Sequence, residues 1–385
     1  MPLEFPSPDL LRARQGSKWS RFPPGILPAT PAEGDFAPCP AVDRAVHAWL
    51  RRQHFGYPLR SARGPAEALK RAFGHRMQAA FDWTPDPQAT LIATSGTQAL
   101  ITCVLAYAAP GEGVVFHTPV FPAIRSAVDL TGRKALPQPM AERQGRFVLG
   151  EAALPQGDAR MLLLCHPHNP TGRVFDASEL EVVARWVERQ DIVVISDELH
   201  ADLMLDGRIH QPFAKLFPAL AERTVTLCSP SKAFALGGLG CVMLHFGSPE
   251  LERRFRGAIP PDLLGEPAVP SLVAAEAAWR QGSTWLRSLT GLVERNRDGF
   301  MAEITARAPE LLVHRPEATY FLWMDLRRLR ARRRPFDLIL RKGRVAASDG
   351  ALYGEGFDGF ARVVTATSPE RMRELAGRLV MALGA

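Results

Sequence analysis

Short apolar runs that stop abruptly at polar or small residues recur through the middle of the chain. Gly113-Val114-Val115-Phe116, Met161-Leu162-Leu163-Leu164, Ile192-Val193-Val194-Ile195, Thr224-Val225-Thr226-Leu227-Cys228 and Cys241-Val242-Met243-Leu244-His245 read as buried strands. Near-continuous apolarity of this kind suits a sheet covered on both faces. Helical spacing falls elsewhere. Val42 to Gln53 carries Val42, Val46, Trp49 and Leu50 on one face, and Asp176 to Arg189 carries Leu180, Val182, Val183, Trp186 and Val187. Ser178-x-x-Glu181 reads as the capping box of the second of these. A further helix opens at Ala93–Gln98 and runs to about Ala108, and Ser283 to Arg307 reads as a long connector. From Pro309 the pattern becomes α+β, with Glu317 to Asp325 as one strand. Strands alternating with helices argue for an α/β fold whose sheet is mostly parallel, with right-handed crossovers. The expected division is an arm over residues 1–40, a large domain over 41–282, and a connector helix with a smaller α+β domain over 283–385.

Three of the runs deliver a polar residue just past their ends: Asn169 in Cys165-His166-Pro167-His168-Asn169-Pro170-Thr171-Gly172-Arg173, Asp197 in Ser196-Asp197-Glu198-Leu199-His200, and Lys232 in Ser229-Pro230-Ser231-Lys232. In open α/β sheets the space beyond the strand C-terminal ends is where ligands sit. Lysine is scarce: Lys18, Lys70, Lys134, Lys215, Lys232 and Lys342 are the only lysines among 47 basic residues. Only lysine can form a Schiff base, since a guanidinium stays protonated. Taken singly, Lys232 fits a solvated loop and Asp197 a helix cap. Ser95-Gly96-Thr97 opens a helix whose unpaired N–H groups and macrodipole favour an anion, although alone it is only a cap.

Together, N-P-T-G, S-D-E and S-x-S-K resemble the signature set of fold-type I pyridoxal-phosphate (PLP) enzymes, the class I/II aminotransferase superfamily with the aspartate aminotransferase fold. The stretches P-H-N-P-T-G-R, S-D-E-L-H-A-D-L and G-R-I-H-Q-P-F are most similar to the branch of cystathionine β-lyases and carbon–sulfur lyases, related to the maltose-regulon modulator protein. The similarity runs from about Ser17-Lys18-Trp19 to the C-terminus. It implies a seven-stranded-type sheet and PLP as cofactor. It further implies Lys232 as Schiff-base lysine and general base, Asp197 at the pyridine nitrogen and Asn169 at the ring oxygen. Ser95, Gly96, Thr97 and Ser229 would hold the phosphate, Phe121 would stack on the ring, and Arg362, on Gly359-Phe360-Ala361-Arg362-Val363-Val364, would bind the substrate α-carboxylate. Tyr57, in Phe55-Gly56-Tyr57-Pro58, would reach the phosphate of a neighbouring subunit in a homodimer. Read as plain residues, Tyr57 also fits a turn aromatic, Phe121 a core position, and His200 either a donor behind the cofactor or a structural histidine.

The sequence departs from the pattern at two places. Many aminotransferases carry an arginine eight residues beyond the Schiff-base lysine, where this chain has Gly240. Related lyases carry W-V-A-D-M-D-F where this chain has Ile26 to Phe36, keeping mainly Asp35-Phe36. The resemblance implies a PLP-dependent β-elimination on a cysteine-derived thioether, with transamination as the alternative and a regulatory or binding role as a third.

Hydrophobic content of 46% and charged content of 23% are those of a globular protein. The net charge of +7 raises nucleic-acid binding, but the arginines are spread along the chain apart from Arg327-Arg328 and Arg330 to Arg334, expected on an exposed helix or loop. No nucleic-acid partner is expected. Cys39, Cys103, Cys165, Cys228 and Cys241 show no C-x-x-C spacing, which points to buried free thiols, no metal set and a reducing compartment. With no apolar run near the roughly 20 residues of a membrane span and no secretory signal, the expected location is the cytoplasm.

Overall fold

The computed structural model describes residues 3–150, 154, 155, 157, 159–329 and 335–383. Arg330 to Arg334, the core of the basic cluster, lie outside these. The five apolar runs fall in one seven-stranded sheet, which Thr90–Ala93 and Lys134–Pro139 complete: β1 (Thr90–Ala93), β2 (Gly113–Thr118), β3 (Lys134–Pro139), β4 (Ala159–Cys165), β5 (Val193–Asp197), β6 (Thr224–Cys228) and β7 (Val242–Phe246). Their order is β1-β7-β6-β5-β4-β2-β3. Only β7 runs against its neighbours, pairing antiparallel with β1 and β6, while β2, β3, β4, β5 and β6 pair in parallel. Every residue of β2, β5, β6 and β7 is buried, as strands covered on both faces require.

Helices Gly96–Tyr107, Pro122–Leu130 and Pro249–Ala258 cover one face, where Val104, Ile124 and Phe255 meet Val114, Ile195 and Leu244. On the other face Val183 and Trp186 of helix Ala177–Gln190 pack on Leu162, Leu164 and Val194, and Phe73 and Leu272 of helices Pro65–Phe81 and Val269–Gln281 pack on Met243. Helix Ala177–Gln190 is capped two residues earlier than Ser178-x-x-Glu181 suggests. Asp176 is the N-cap and Glu179 its capping-box partner, each carboxylate accepting the other's backbone N–H at 2.9 Å. A carboxylate at 176 outcompetes the serine, whose hydroxyl instead donates to Asp176 at 2.6 Å. Glu181 pairs with Arg185 along the helix.

A 25-residue helix, Ser283–Arg307, leads to a four-stranded antiparallel sheet of Leu312–His314, Phe321–Asp325, Phe360–Val364 and Ser348–Asp349, backed by helix Pro369–Leu383. The strand expected from Glu317 begins only at Phe321. The Glu317 and Ala318 N–H groups donate to Gly172 O at 2.8 and 2.9 Å, so they are unavailable to a ladder. The N-terminal segment carries a short helix, Pro8–Ala13, and then Leu27–Pro28, paired in parallel with Val345–Ala346. Leu11, Trp19, Leu27 and Ala29 join the same core as Phe300, Leu322 and Leu379.

Candidate active site

The register of the sheet brings the polar strand ends together. Cys165 lies opposite Asp197, and Asp197 opposite Leu227, so β4, β5 and β6 stop at nearly the same level. Past β4, the Asn169-Pro170-Thr171-Gly172 loop is clasped to the small sheet. Gly172 has φ +69°, and a Cβ on it would fall 2.3 Å from Pro316 Cβ, so only glycine fits while its carbonyl accepts Glu317 N and Ala318 N. Arg173 extends the clasp as a buried ion pair with Glu179 and Glu317.

Asp197 ends β5 with its carboxylate buried and accepting Leu199 N at 3.2 Å. Burial pushes its pKa up to about 6; the Leu199 N–H and Lys232 pull it down, and Glu198 pushes it up. Glu198 turns into the protein, where it accepts from Ser196 Oγ (2.8 Å) and Phe213 N (3.0 Å) and lies 2.7 Å from His210 Nε2. His210 and Phe213 therefore brace the loop that carries Asp197. Nothing in the sequence singled out Glu198 and His210 as partners, although S-D-E and G-R-I-H-Q-P-F lie close together in the chain.

Lys232 is partly buried, and its amine is pushed below the usual lysine range by burial and by Arg362, with Asp197 and Glu33 opposing. His200 is buried edge-on to Phe321 and Tyr320, with ring centroids 5.3 and 6.3 Å apart. Burial, Lys232 and Arg362 hold its pKa well below the usual histidine range, so it is neutral. Arg362 reaches in from strand Phe360–Val364. Nη1 donates to Asn169 Oδ1 at 2.7 Å, Nη2 lies 3.4 Å from Ser348 Oγ, and the guanidinium carbon sits 4.1 Å from the Phe321 ring centre and 5.2 Å from that of Tyr353. Burial lowers its pKa, but a guanidinium still keeps its proton.

At the other end stand Ser95, Gly96 and Thr97. Ser95 is the N-cap of helix Gly96–Tyr107, its hydroxyl accepting Gln98 N at 3.1 Å. A Cβ on Gly96 would fall 2.7 Å from Leu199 Cδ1, so this helix end packs against the segment following Asp197. Ser229 is buried, its hydroxyl 2.5 Å from Cys241 O and 2.8 Å from Ser231 Oγ. Phe121 donates its backbone N–H to Asn169 O at 3.1 Å and heads helix Pro122–Leu130. Gly240 leaves no room for a side chain, since a Cβ there would stand 2.0 Å from Thr94 O. Asn169, Asp197, His200, Lys232 and Arg362 thus form one buried group, with Phe121 and the 95–97 helix end at its margins. Tyr57 stands apart, 91% exposed between helices Pro40–Arg51 and Pro65–Phe81.

These residues fit PLP. Arg362 Nε and His200 Nδ1 are buried without hydrogen-bond partners, as groups facing a ligand would be. A buried carboxylate suits a ring-nitrogen cation, a depressed lysine amine suits a carbonyl, and a helix N-terminus suits a phosphate. Among the described residues no group of three His, Cys, Asp or Glu could hold a metal ion.

Comparison with known proteins agrees. The family described as aminotransferase class I and II matches residues 61–379. The cystathionine beta-lyase PatB of Bacillus subtilis is 29% identical over 383 residues, covering 96% of this chain and 97% of that protein. A cystathionine beta-lyase of Corynebacterium glutamicum is 28% identical, covering 99% of this chain and 100% of that protein. Cystalysin of Treponema denticola, solved with a pyridoxal 5'-phosphate cofactor, has the same fold, with a TM-score of 0.92 at 24% identity over 100% of this chain and 99% of that one. The clustered strand-end residues and a match spanning most of the sequence lead to one assignment: the chain belongs to the aminotransferase class I and II family of PLP-dependent enzymes.

Proposed function

We propose that this protein is a PLP-dependent carbon–sulfur lyase that breaks down a cysteine-derived thioether by β-elimination. The observation that carries this reading is the gathering of Asn169, Asp197, Lys232 and Arg362 beyond the ends of adjacent strands, with Arg362 held on Asn169 and the Lys232 amine under the charges of both Arg362 and Asp197. The choice of lyase is supported by relatives called cystathionine beta-lyase that match over nearly their whole length.

When bound, PLP supplies an electrophilic ring that withdraws the electron pair left as the substrate Cα proton departs. Lys232 Nζ takes that proton. Its lowered pKa leaves a larger share of free amine near neutrality, as a general base needs. Asp197, charged above about pH 6, would hold the ring nitrogen in its protonated form. The Asn169 carbonyl holds Arg362, which would leave its amide to donate to the ring oxygen. Neutral His200 would stand behind the same oxygen, and Phe121 would stack on the ring. Ser95, Gly96, Thr97 and Ser229 would hold the phosphate. Tyr57, exposed on its own chain, completes the phosphate site of a second protomer in a homodimer. Arg362 binds the α-carboxylate with a planar fork that lysine does not offer. The Cα–H and Cβ–S bonds break, the sulfur leaves as thiolate and takes a proton, and water releases pyruvate and ammonia without net oxidation or reduction. Five buried free thiols suit a reducing cytoplasm. No helix of the described residues is long and apolar enough to cross a membrane.

Incubation with L-cystathionine or an S-alkyl cysteine is expected to release pyruvate with no keto acid added. Acceptor-dependent transamination without pyruvate would instead make the protein an aminotransferase. Lys232→Ala is expected to abolish both pyruvate release and the visible absorbance of the PLP-loaded protein.

A further inference from the structure

The turn that carries Asn169 meets the small sheet at two places, Arg362 and Glu317. The turn itself is closed by His168 N on Arg173 O at 2.9 Å and by Gly172 N on His168 O at 2.8 Å, so it moves as a unit. On one side Asn169 Oδ1 accepts Arg362 Nη1 at 2.7 Å. On the other the Gly172 carbonyl accepts Glu317 N and Ala318 N. Two bonds to one oxygen hold a single point and leave the turn free to pivot about it. The buried carboxylate of Glu317 removes that freedom. Its Oε2 accepts Val174 N at 2.9 Å and the Arg173 guanidinium. Its Oε1 accepts Arg146 Nη2 at 2.7 Å and lies 3.5 Å from Arg208 Nη2. Arg173 is held in turn by Glu179 and by Phe147 O at 2.8 Å.

The strand beside Arg362 starts from the same residue. Glu317 O accepts Leu205 N at 3.1 Å and Thr319 N donates to Leu203 O at 2.8 Å, so the chain enters Phe321–Asp325 from a fixed point. Trp323 of that strand lies opposite Arg362, and the Phe321 ring centre sits 4.1 Å from the guanidinium carbon. Arg362 thus takes its position from two directions, the Asn169 turn and the neighbouring strand, and both are anchored on Glu317. Little else holds the guanidinium among the described residues: Nη2 lies 3.4 Å from Ser348 Oγ, and Nε has no partner. A planar fork must align with both oxygens of a carboxylate, and a misplacement of about 1 Å can cost up to about a hundredfold.

We propose that Glu317 is a positioning residue that sets the Arg362 fork against the substrate α-carboxylate. This rests on the assignment of that carboxylate to Arg362, and not on the choice of lyase over aminotransferase. The probes are L-norvaline, which has the shape of S-methyl-L-cysteine with a methylene in place of sulfur, and butylamine, the same molecule without its carboxylate. Neither has a group that can leave from Cβ. Titration of the PLP-loaded protein, followed by visible absorbance, gives the affinity of each. The unaltered protein is expected to prefer norvaline by about a hundredfold, the worth of a bidentate ion pair. Glu317→Gln keeps the shape and removes the charge. It is expected to cut the preference about tenfold through weaker norvaline binding, with butylamine bound as before. Arg173→Lys keeps a cation in place but cannot span Glu179 and Glu317; it is expected to do the same, and decides the matter should Glu317→Gln not fold. A preference unchanged in these variants, or both affinities falling alike, overturns the proposal. Arg362→Lys separates the two possible failures. A preference lost in Arg362→Lys but kept in Glu317→Gln overturns the proposal alone, whereas one that survives Arg362→Lys, or is missing from the unaltered protein, overturns the Arg362 assignment with it.

Discussion

Gly240→Ala isolates the contact that joins the lysine loop to the strand end leading into helix Gly96–Tyr107. A Cβ at 240 would stand 2.0 Å from Thr94 O, a backbone atom with no rotamer to yield. Ordinary contact begins above 3 Å, so one main chain must move by about 1 Å. Neither is free to do so. Val242 is held in register with Ala93 on β1, and Thr94 N donates to Gln98 Oε1 at 2.8 Å. Overpacking of this kind costs about 2–3 kcal/mol. An unfolding entropy of about 2.1 cal/mol/K per residue over this chain makes that a Tm loss of roughly 2–4 °C. Thr94 leads directly into Ser95, Gly96 and Thr97, so PLP affinity should fall about tenfold if half the strain is relieved at that helix end. Gly238→Ala is the control in the same loop, because nothing lies within 4 Å of a Cβ there. Its Tm should stay within about 1 °C. Thermal denaturation and absorbance titration with PLP read both quantities. Equal behaviour of the two variants, or a Tm loss in Gly240→Ala with unaltered PLP affinity, would refute the reasoning.

Asp197→Asn is expected to stabilise the PLP-free protein in a pH-dependent way. A carboxyl whose folded pKa of about 6 lies above its ordinary 3.8 favours the fold below about pH 4 and loses that contribution as pH rises through 6. The variant should therefore gain up to about 3 kcal/mol at pH 8 and nothing at pH 4, checked by denaturant melts at both. Lys18→Met removes the cation buried 3.1 Å from the Asp35 carboxylate, leaving it the Trp19 Nε1 bond at 2.7 Å, and should cost about 3–5 kcal/mol in the same melts. Arg362→Lys loses the planar match to Asn169 and the stack on Phe321, and steady-state kinetics should show kcat/KM down by about a hundredfold.

Strand after strand was legible in the chain because burial on both faces leaves nearly unbroken apolar runs. Asn169, Asp197 and Lys232 were legible because each closely follows such a run, and neighbouring parallel strands carry their ends to one level. Ser178-x-x-Glu181 misled because several polar residues compete at a helix start, and the one whose carboxylate reaches the free N–H groups wins. What the linear order withheld depends on contacts between distant residues. Asn169 meets Arg362 across 193 positions, a contact that the residues around Arg362 do not encode, although the resemblance had pointed to that arginine. Glu198 and His210, the Gly172 clasp and the exclusion of any side chain at 240 likewise exist only once sheets and loops have packed. Local apolar patterning encodes the elements and where they end. Distance, burial and field at the site arise from packing, because each is a sum over neighbours that the chain brings together only by folding.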